Sequence, residues 1–316
     1  MSDGKLVCRA VSTPSYMRWL PAEAISRLGR LEFSPRGTVD GFIAGKHRSA
    51  RKGASVEFAE HREYTPGDDL RKLDWKLIAR RQRFYVREFI DETNLRATIL
   101  LDTSGSMGYR GAVAAGGLSK LAYAQHLAAA LAYVLIRQQD AVGFVAYDTK
   151  VNVAMTPKAQ PAQLRRILME IDKLAPGGET DAAAVMHEVA ERVPRRSVVF
   201  VLSDLFGDPD AIVNALHHFR FRFDEVVVLQ TVADEELEFP FTEMLRFEDS
   251  ETPSFMNIDS LALRNEYLDR INDFLARLKR GCGEMRIAHE LVNTKVPYAE
   301  ALSDFLVRYK EIGGAH

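Results

Sequence analysis

Cysteine is nearly absent: two residues in 316 leave no disulfide framework, and no CxxC or clustered Cys/His pattern is present to hold zinc. Charge of one sign is equally scarce. The 42 Lys/Arg and 44 Asp/Glu give a formal −2, so the molecule as a whole is not a polyanion binder. The opening residues, MSDGKLVCRA, contain no apolar signal core followed by a small-residue cleavage site. Long hydrophobic runs are missing too. The most apolar stretch, Ala122 to Ile136, is interrupted by Gln125 and His126 and is shorter than the roughly 20 residues a bilayer span needs. A buried amphipathic helix is expected there. Neither GxxxxGK[ST] nor GxGxxG occurs, so no ATP or dinucleotide site is expected. His187-Glu188 and His289-Glu290 lack the second histidine of HExxH. With 47% hydrophobic and 27% charged residues the chain is neither disordered nor collagen-like. The expectation is a cytoplasmic protein with no membrane span.

The small net charge conceals an asymmetry. Residues 36–87 hold 13 Lys/Arg against 7 Asp/Glu, whereas residues 203–251 hold 3 against 13. Such blocks are either two binding faces or charges that neutralise one another within the fold. Residues 1–35 are weakly patterned, with a short helix expected from Pro21, a favoured first helical residue, to Gly29. Residues 36–95 are turn-rich, Pro66-Gly67-Asp68-Asp69 being the clearest turn, and Phe84 to Phe89 reads as a strand.

From residue 95 short unbroken apolar strands alternate with helices. Strands are expected at Ala97–Leu101, Ala141–Tyr147, Val198–Leu202, Val226–Leu229 and Met285–Val292, with a hairpin running into Val151-Asn152-Val153. Helices are expected at 118–137, 163–174, 181–192 and 209–219, along a face marked by Leu268, Ile271, Phe274, Leu275 and Leu278, and at a final helix lined by Leu302, Phe305, Leu306 and Tyr309. This order predicts a three-layer α/β fold: a mostly parallel sheet with helices on both faces, spanning 95–316. Residues 1–94 form a smaller, β-containing amino-terminal segment packed onto it.

Ligands of an open parallel sheet bind beyond the carboxyl ends of its strands, and two strands here end in carboxylates. Leu101 gives way to Asp102-Thr103-Ser104-Gly105-Ser106, a DxSxS string, and Leu202-Ser203 to Asp204. Between them, Gly177-Gly178-Glu179-Thr180 places a hydroxyl at a helix start. Asp102, Ser104, Ser106, Thr180 and Asp204 can converge as an all-oxygen set suited to a hard divalent cation, Mg²⁺ first. The competing assignment makes the hydroxyls turn and cap residues and the carboxylates helix caps.

The DxSxS string, the Gly-rich loop with its threonine and the later Asp resemble the metal-ion-dependent adhesion site of von Willebrand factor type A (vWA) domains. That resemblance implies a Rossmann-type sheet with one short antiparallel strand, Mg²⁺ or Mn²⁺ held by the five residues, and a partner carboxylate as a further ligand. Glu179 and Asp181 flank Thr180, leaving direct or water-mediated binding by Thr180 open.

The preceding segment narrows the match. Gly53 to Phe58, then Arg62, Tyr64, Gly67, Asp68, Asp69, Arg71, Asp74 and Trp75 in an RxYxPGDDxRxxDW string, then Ala79-Arg80, resemble domain-of-unknown-function family 58 (DUF58). Leu237 to Phe241 and Phe247 to Asp249 fit as well. In physical terms Arg62, Arg71 and Arg80 can pair with Asp68, Asp69 and Asp74 as bidentate forks, Pro66-Gly67 can turn and Trp75 can bury its ring, which makes the string an architectural clamp or an interaction surface. Many relatives carry membrane helices ahead of this region, and this chain resembles the soluble branch. The resemblance implies a non-enzymatic, metal-dependent interaction module: an adaptor or co-chaperone of a MoxR-type AAA+ ATPase acting on a client protein. Peripheral association with membrane-bound vWA proteins is compatible with it.

Two rival functions are weaker. An aspartyl phosphotransferase or Mg²⁺-dependent hydrolase would use Asp102 with a second carboxylate two residues on, where this chain has Ser104. The basic cluster Lys46 to Lys52 could contact nucleic-acid phosphates, but seven acidic residues within 36–87 dilute its field, so no nucleic-acid partner is expected.

Overall fold

The computed structural model describes residues 14–35, 57–63, 84–90, 95–178, 182–195, 197–248 and 255–313. Its centre is a six-stranded sheet of β3 (Arg96–Asp102), β4 (Ala141–Tyr147), β5 (Val151–Lys158), β6 (Val198–Ser203), β7 (Glu225–Val232) and β10 (Ala288–Asn293). The spatial order is β10-β7-β6-β3-β4-β5. Every pairing is parallel except β4 with β5, the hairpin at one edge.

The central strands are apolar without a break because both their faces are covered. Alternate residues serve opposite cores. Ala97, Ile99 and Leu101 of β3, with Phe200 and Leu202 of β6, face one helical layer. Leu100, Val199 and Val201 face the other. The first layer contains α2 (Lys120–Arg137) and α8 (Tyr298–Gly313), joined by α1 (Ala22–Leu28) and α3 (Pro161–Ile171). The second contains α4 (Ala182–Arg192), α5 (Pro209–Arg222) and α7 (Ser260–Glu284). Outside the main sheet lie two antiparallel pairs: β1 (Glu57–Glu63) with β2 (Tyr85–Ile90), and β8 (Met244–Glu248) with β9 (Phe255–Asp259). A one-turn helix, α6 (Asp234–Glu238), follows β7.

The α/β architecture and its antiparallel edge hairpin agree with the sequence reading. Several limits differ. Pro21 is the cap before α1 and not its first residue, since its ψ of 155° is extended. The last strand begins at Ala288 because Met285 caps α7 and Arg286 turns the chain with φ 57°. Helix α2 is buried on nearly all sides, so it is a core helix with no polar face of its own. The β8–β9 pair and α6 are absent from the sequence reading. Strand β8 carries Arg246 and Glu248 within five residues, too short and too polar for a clear period-2 signal.

Among the described residues no helix is long and apolar enough to cross a membrane. Of the family-specific string, Arg62 is placed by its backbone in β1, opposite Val86 of β2. Tyr64, Gly67, Asp68, Asp69, Arg71, Asp74, Trp75 and Arg80 lie outside the described residues, as does most of the basic stretch.

Candidate functional site

Strand β3 has β4 on one side and β6 on the other, and the chain's progression across the sheet reverses there. The carboxyl ends of β3 and β6 therefore open a crevice at the point where such sheets bind ligands. The β3–β6 register pairs Leu101 with Leu202, which brings Asp102 level with Ser203. The Ser203 hydroxyl donates to Asp102 Oδ2 at 2.5 Å and accepts from Leu205 N at 2.9 Å. Asp102 Oδ1 accepts from Ser104 N at 2.9 Å, which bends the DxSxS loop over the strand end. The Ser104 and Ser106 hydroxyls lie 3.1 Å apart. Asp102, Ser104 and Asp204 are all buried, and Ser106 is half-buried.

The glycine loop is stitched onto this arrangement. Gly177 N donates to Thr103 O at 2.9 Å, and Gly105 N donates to Gly178 O at 3.1 Å. Gly178 has φ +81° and sits against Asp148 of the β4–β5 turn, a conformation that L residues with a side chain rarely adopt. The glycine loop thus meets the DxSxS loop through backbone bonds, and the end of β6 meets it through the Ser203–Asp102 side-chain bond. Glu179 and Thr180 lie outside the described residues. After β6, Leu205 holds φ 53° while fully buried, a left-handed conformation that surrounding bonds must enforce at this corner.

Two groups at the site escaped the sequence reading. Lys120, the first residue of α2, is only 1% exposed, and its ammonium donates to Asp204 Oδ2 at 2.8 Å and Glu236 Oε1 at 2.6 Å. Its backbone N donates to Tyr109 O at 2.9 Å, tying the helix start to the DxSxS loop. The Tyr109 and Phe206 rings flank the ammonium with centroids at 5.9 and 5.8 Å. Glu236 is fixed in turn, its Oε2 accepting from Ala233 N at 2.7 Å. A signal for Lys120 does exist: a cation in the first turn of a helix opposes the macrodipole, so it needs a compensating anion nearby. Nothing local announces Glu236, which is 116 residues away.

Burial and the neighbouring Asp204 carboxylate raise the Asp102 pKa to about 6, with the bonds from Ser203 and Ser104 opposing the rise. Burial alone would depress the Lys120 pKa. Asp204 and Glu236 outweigh that effect, and the ammonium is held above the ordinary lysine value. Among the described residues no group of three or more His, Cys, Asp and Glu side chains is placed to hold a metal ion. The site brings together the carboxylates of Asp102, Asp204 and Glu236, the hydroxyls of Ser104, Ser106 and Ser203, and the Lys120 ammonium.

This fold and crevice define a three-layer α/β domain with a mostly parallel sheet and a candidate ligand site at its switch point. The family described as "Protein of unknown function DUF58" matches residues 60–274, and the chain belongs to that family. Uncharacterized proteins of Mycobacterium tuberculosis and Mycobacterium bovis are 26% identical over 265 residues, covering 81% of this chain and 81% of theirs. Among solved structures, the conserved hypothetical protein BatB from Bacteroides thetaiotaomicron aligns with a TM-score of 0.43 and 14% identity, over 69% of this chain and all of that one. A von Willebrand factor type A protein from Catenulispora acidiphila aligns with a TM-score of 0.37 and 13% identity, over 70% of this chain and 43% of that one.

Proposed function

We propose that this protein is a non-catalytic, cation-assisted docking module, and that it acts as an adaptor between a MoxR-type AAA+ ATPase and a client protein. One observation carries the reading: at the switch point of the sheet the DxSxS turn sets the Ser104 and Ser106 hydroxyls 3.1 Å apart above Asp102, and the Asp204 carboxylate lies close enough to raise the Asp102 pKa. The donor set fits a hard divalent cation, since it is built from carboxylate and hydroxyl oxygen alone. The electrostatics fit as well. Burial first, and the Asp204 carboxylate second, raise the Asp102 pKa to about 6, so its ionised form carries a cost that a bound cation would relieve.

Asp102, Ser104, Ser106 and Asp204 are the residues that would hold Mg²⁺ or Mn²⁺, with Thr180 completing the set on the adjoining loop. When bound, the ion supplies a Lewis-acidic docking point for a carboxylate of the partner. The chain's own residues build the platform. Ser203 and the Ser104 amide fix the Asp102 carboxylate, and the glycine loop holds the DxSxS turn in place. Tyr109 and Phe206 are exposed at the rim and offer apolar contact beside the polar centre. Position 104 carries a hydroxyl where an aspartyl phosphotransferase would place its acid/base carboxylate, and this supports docking over turnover.

The test compares wild type with Asp102→Ala for binding to a purified MoxR-type ATPase, each in Mg²⁺ and in EDTA. The expected outcome is binding by wild type in Mg²⁺, weakened at least about tenfold by chelation or by the substitution, a change of about 1.4 kcal/mol. Equal affinity in all four arms would overturn the reading.

A further inference from the structure

The strongest unassigned feature is the position of Lys120. Its ammonium spans the mouth of the crevice between Asp204, a member of the candidate cation set, and Glu236, which is not. The two oxygens of Asp204 are both engaged: Oδ1 accepts from Phe206 N at 3.2 Å, and Oδ2 accepts from Lys120 at 2.8 Å. The carboxylate oxygen free of backbone bonds is thus already held by a cation that belongs to the chain.

The ammonium is held from several directions. Ser119 caps α2 by accepting from Ala122 N at 3.1 Å, and the Lys120 amide is bonded to Tyr109 O, so the stem starts from a fixed point. Aromatic faces of Tyr109 and Phe206 flank the charge, an arrangement that favours a cation. Nearby, Glu235 is buried, its Oε1 accepts from Val113 N at 3.1 Å, and its Oε2 has no hydrogen-bond partner among the described residues. One ammonium therefore faces Asp204 and Glu236 directly, with Asp102 and Glu235 close by.

We propose that Lys120 is a tethered competitor for the divalent cation: its ammonium occupies Asp204 Oδ2 in the cation-free chain, and it sets a low intrinsic affinity of the site for Mg²⁺ or Mn²⁺. This inference rests on the cation-assisted reading given above and specifies its regulation. A divalent cation and an ammonium on one carboxylate oxygen repel strongly in a buried, weakly screened crevice, so the divalent ion enters at the expense of the ion pair. Glu236 lies outside the cation set and gives the displaced ammonium a second anchor. Lys120 gives up Asp204 and keeps Glu236, to which it is already bonded. A docking carboxylate from the partner then supplies the negative charge that Lys120 withholds, which makes cation and partner binding mutually reinforcing.

The experiment measures Mn²⁺ and Mg²⁺ binding to the full chain by titration calorimetry for wild type, Lys120→Met, Asp102→Ala and the Lys120→Met/Asp102→Ala double variant. Methionine keeps the apolar stem and removes the charge. The expected result is binding roughly tenfold or more tighter in Lys120→Met than in wild type, lost in both variants that carry Asp102→Ala. If wild type binds and Lys120→Met binds equally or more weakly, this inference falls while the docking reading stands. If neither binds although both are folded by circular dichroism, both fall together. A second measurement on wild type guards against a misfolded variant: acetylation of Lys120 by acetic anhydride, which transfers acetyl to the amine and releases acetate, quantified by peptide mass spectrometry with and without saturating Mn²⁺. Labelling is expected to rise severalfold when Mn²⁺ displaces the ammonium, and unchanged labelling would overturn the competition.

Discussion

At the level of single residues the site depends on one hydroxyl. Ser203 Oγ donates to Asp102 Oδ2 and accepts from Leu205 N, so it joins the two strand ends and holds the left-handed corner at Leu205. Ser203→Ala leaves a buried carboxylate oxygen and a buried amide without that partner, at an expected loss of about 1–3 kcal/mol in denaturant unfolding at pH 7.5. The sign of the pH effect follows from Asp102. Its folded pKa, about 6, already lies above the ordinary value of 3.8, so ionisation works against folding above pH 6. Removing a bond that lowers this pKa raises it further. The deficit of the variant should therefore shrink as pH is lowered from 7.5 to 5, and a deficit independent of pH would assign the loss to Leu205 alone. Asp102, Ser104, Ser106 and Asp204 were legible in the sequence because a DxSxS string and a strand-terminal Asp are local patterns. Lys120 and Glu236 were not. Their meeting depends on where α2 and α6 sit over the sheet, and a lysine after a capping serine looks locally like a solvated helix start.

Among the elements, the clearest strands in the sequence were β3, β6 and β7, whose uninterrupted apolar runs follow from burial on both faces. The edge strand β10 was legible only in part. Its Ala-His-Glu-Leu-Val-Asn mixes exposures, and its start was misplaced by the turn at Arg286. That edge also carries a titratable link toward the site. Gln230 Nε2 donates to Asp204 O at 3.0 Å, which turns Gln230 Oε1 toward His289, 2.8 Å from its Nε2. A neutral imidazole donating through Nε2–H satisfies this pair. Burial, aided by the nearby Lys279 cation, lowers the His289 pKa to about 4 from 6.5. A depressed histidine pKa gives stability that is present above pH 6.5 and is lost as pH falls toward 4. The wild type should lose about 2 kcal/mol more than His289→Gln between pH 7.5 and 5, measured by denaturant unfolding at each pH. Parallel pH profiles for the two proteins would show that the imidazole charges without penalty.

Across the whole molecule, the question is whether residues 14–35 are an appendage or part of the core. They cross the face built by α2, α3 and α8, and their apolar residues Trp19, Leu20, Ala24, Leu28 and Phe33 are buried within one continuous cluster with the sheet. Polar contacts fix the crossing at both ends. Trp19 Nε1 and Ser15 Oγ donate to the two oxygens of Asp172 at 2.9 and 2.7 Å. At the other end the Gln138 side chain accepts from Phe33 N and donates to Phe33 O, both at 3.0 Å, and Arg137 donates to the carbonyls of Gly29 and Leu31. Phe33 is fully buried between Phe200 of the central strand β6, at 4.9 Å edge-on, and Tyr309 of α8, stacked at 5.2 Å. One ring from the weakly patterned amino-terminal region therefore joins the middle of the sheet to the last helix. Phe33→Ala should cost about 3–5 kcal/mol, because the ring leaves a cavity that neither the sheet nor α8 can close. That is a large share of the 5–15 kcal/mol by which a domain is ordinarily stable. The measurement is equilibrium unfolding in urea followed by both circular dichroism and tryptophan fluorescence. If residues 14–35 belong to the core, the two probes shift together to a lower midpoint with an unchanged slope in a Trp75→Phe background, where Trp19 is the sole tryptophan and unfolds with the sheet. A fluorescence transition that moves alone, or a loss below about 1 kcal/mol, would instead make this segment a separately folding strap whose removal leaves the crevice at Asp102 and Asp204 intact.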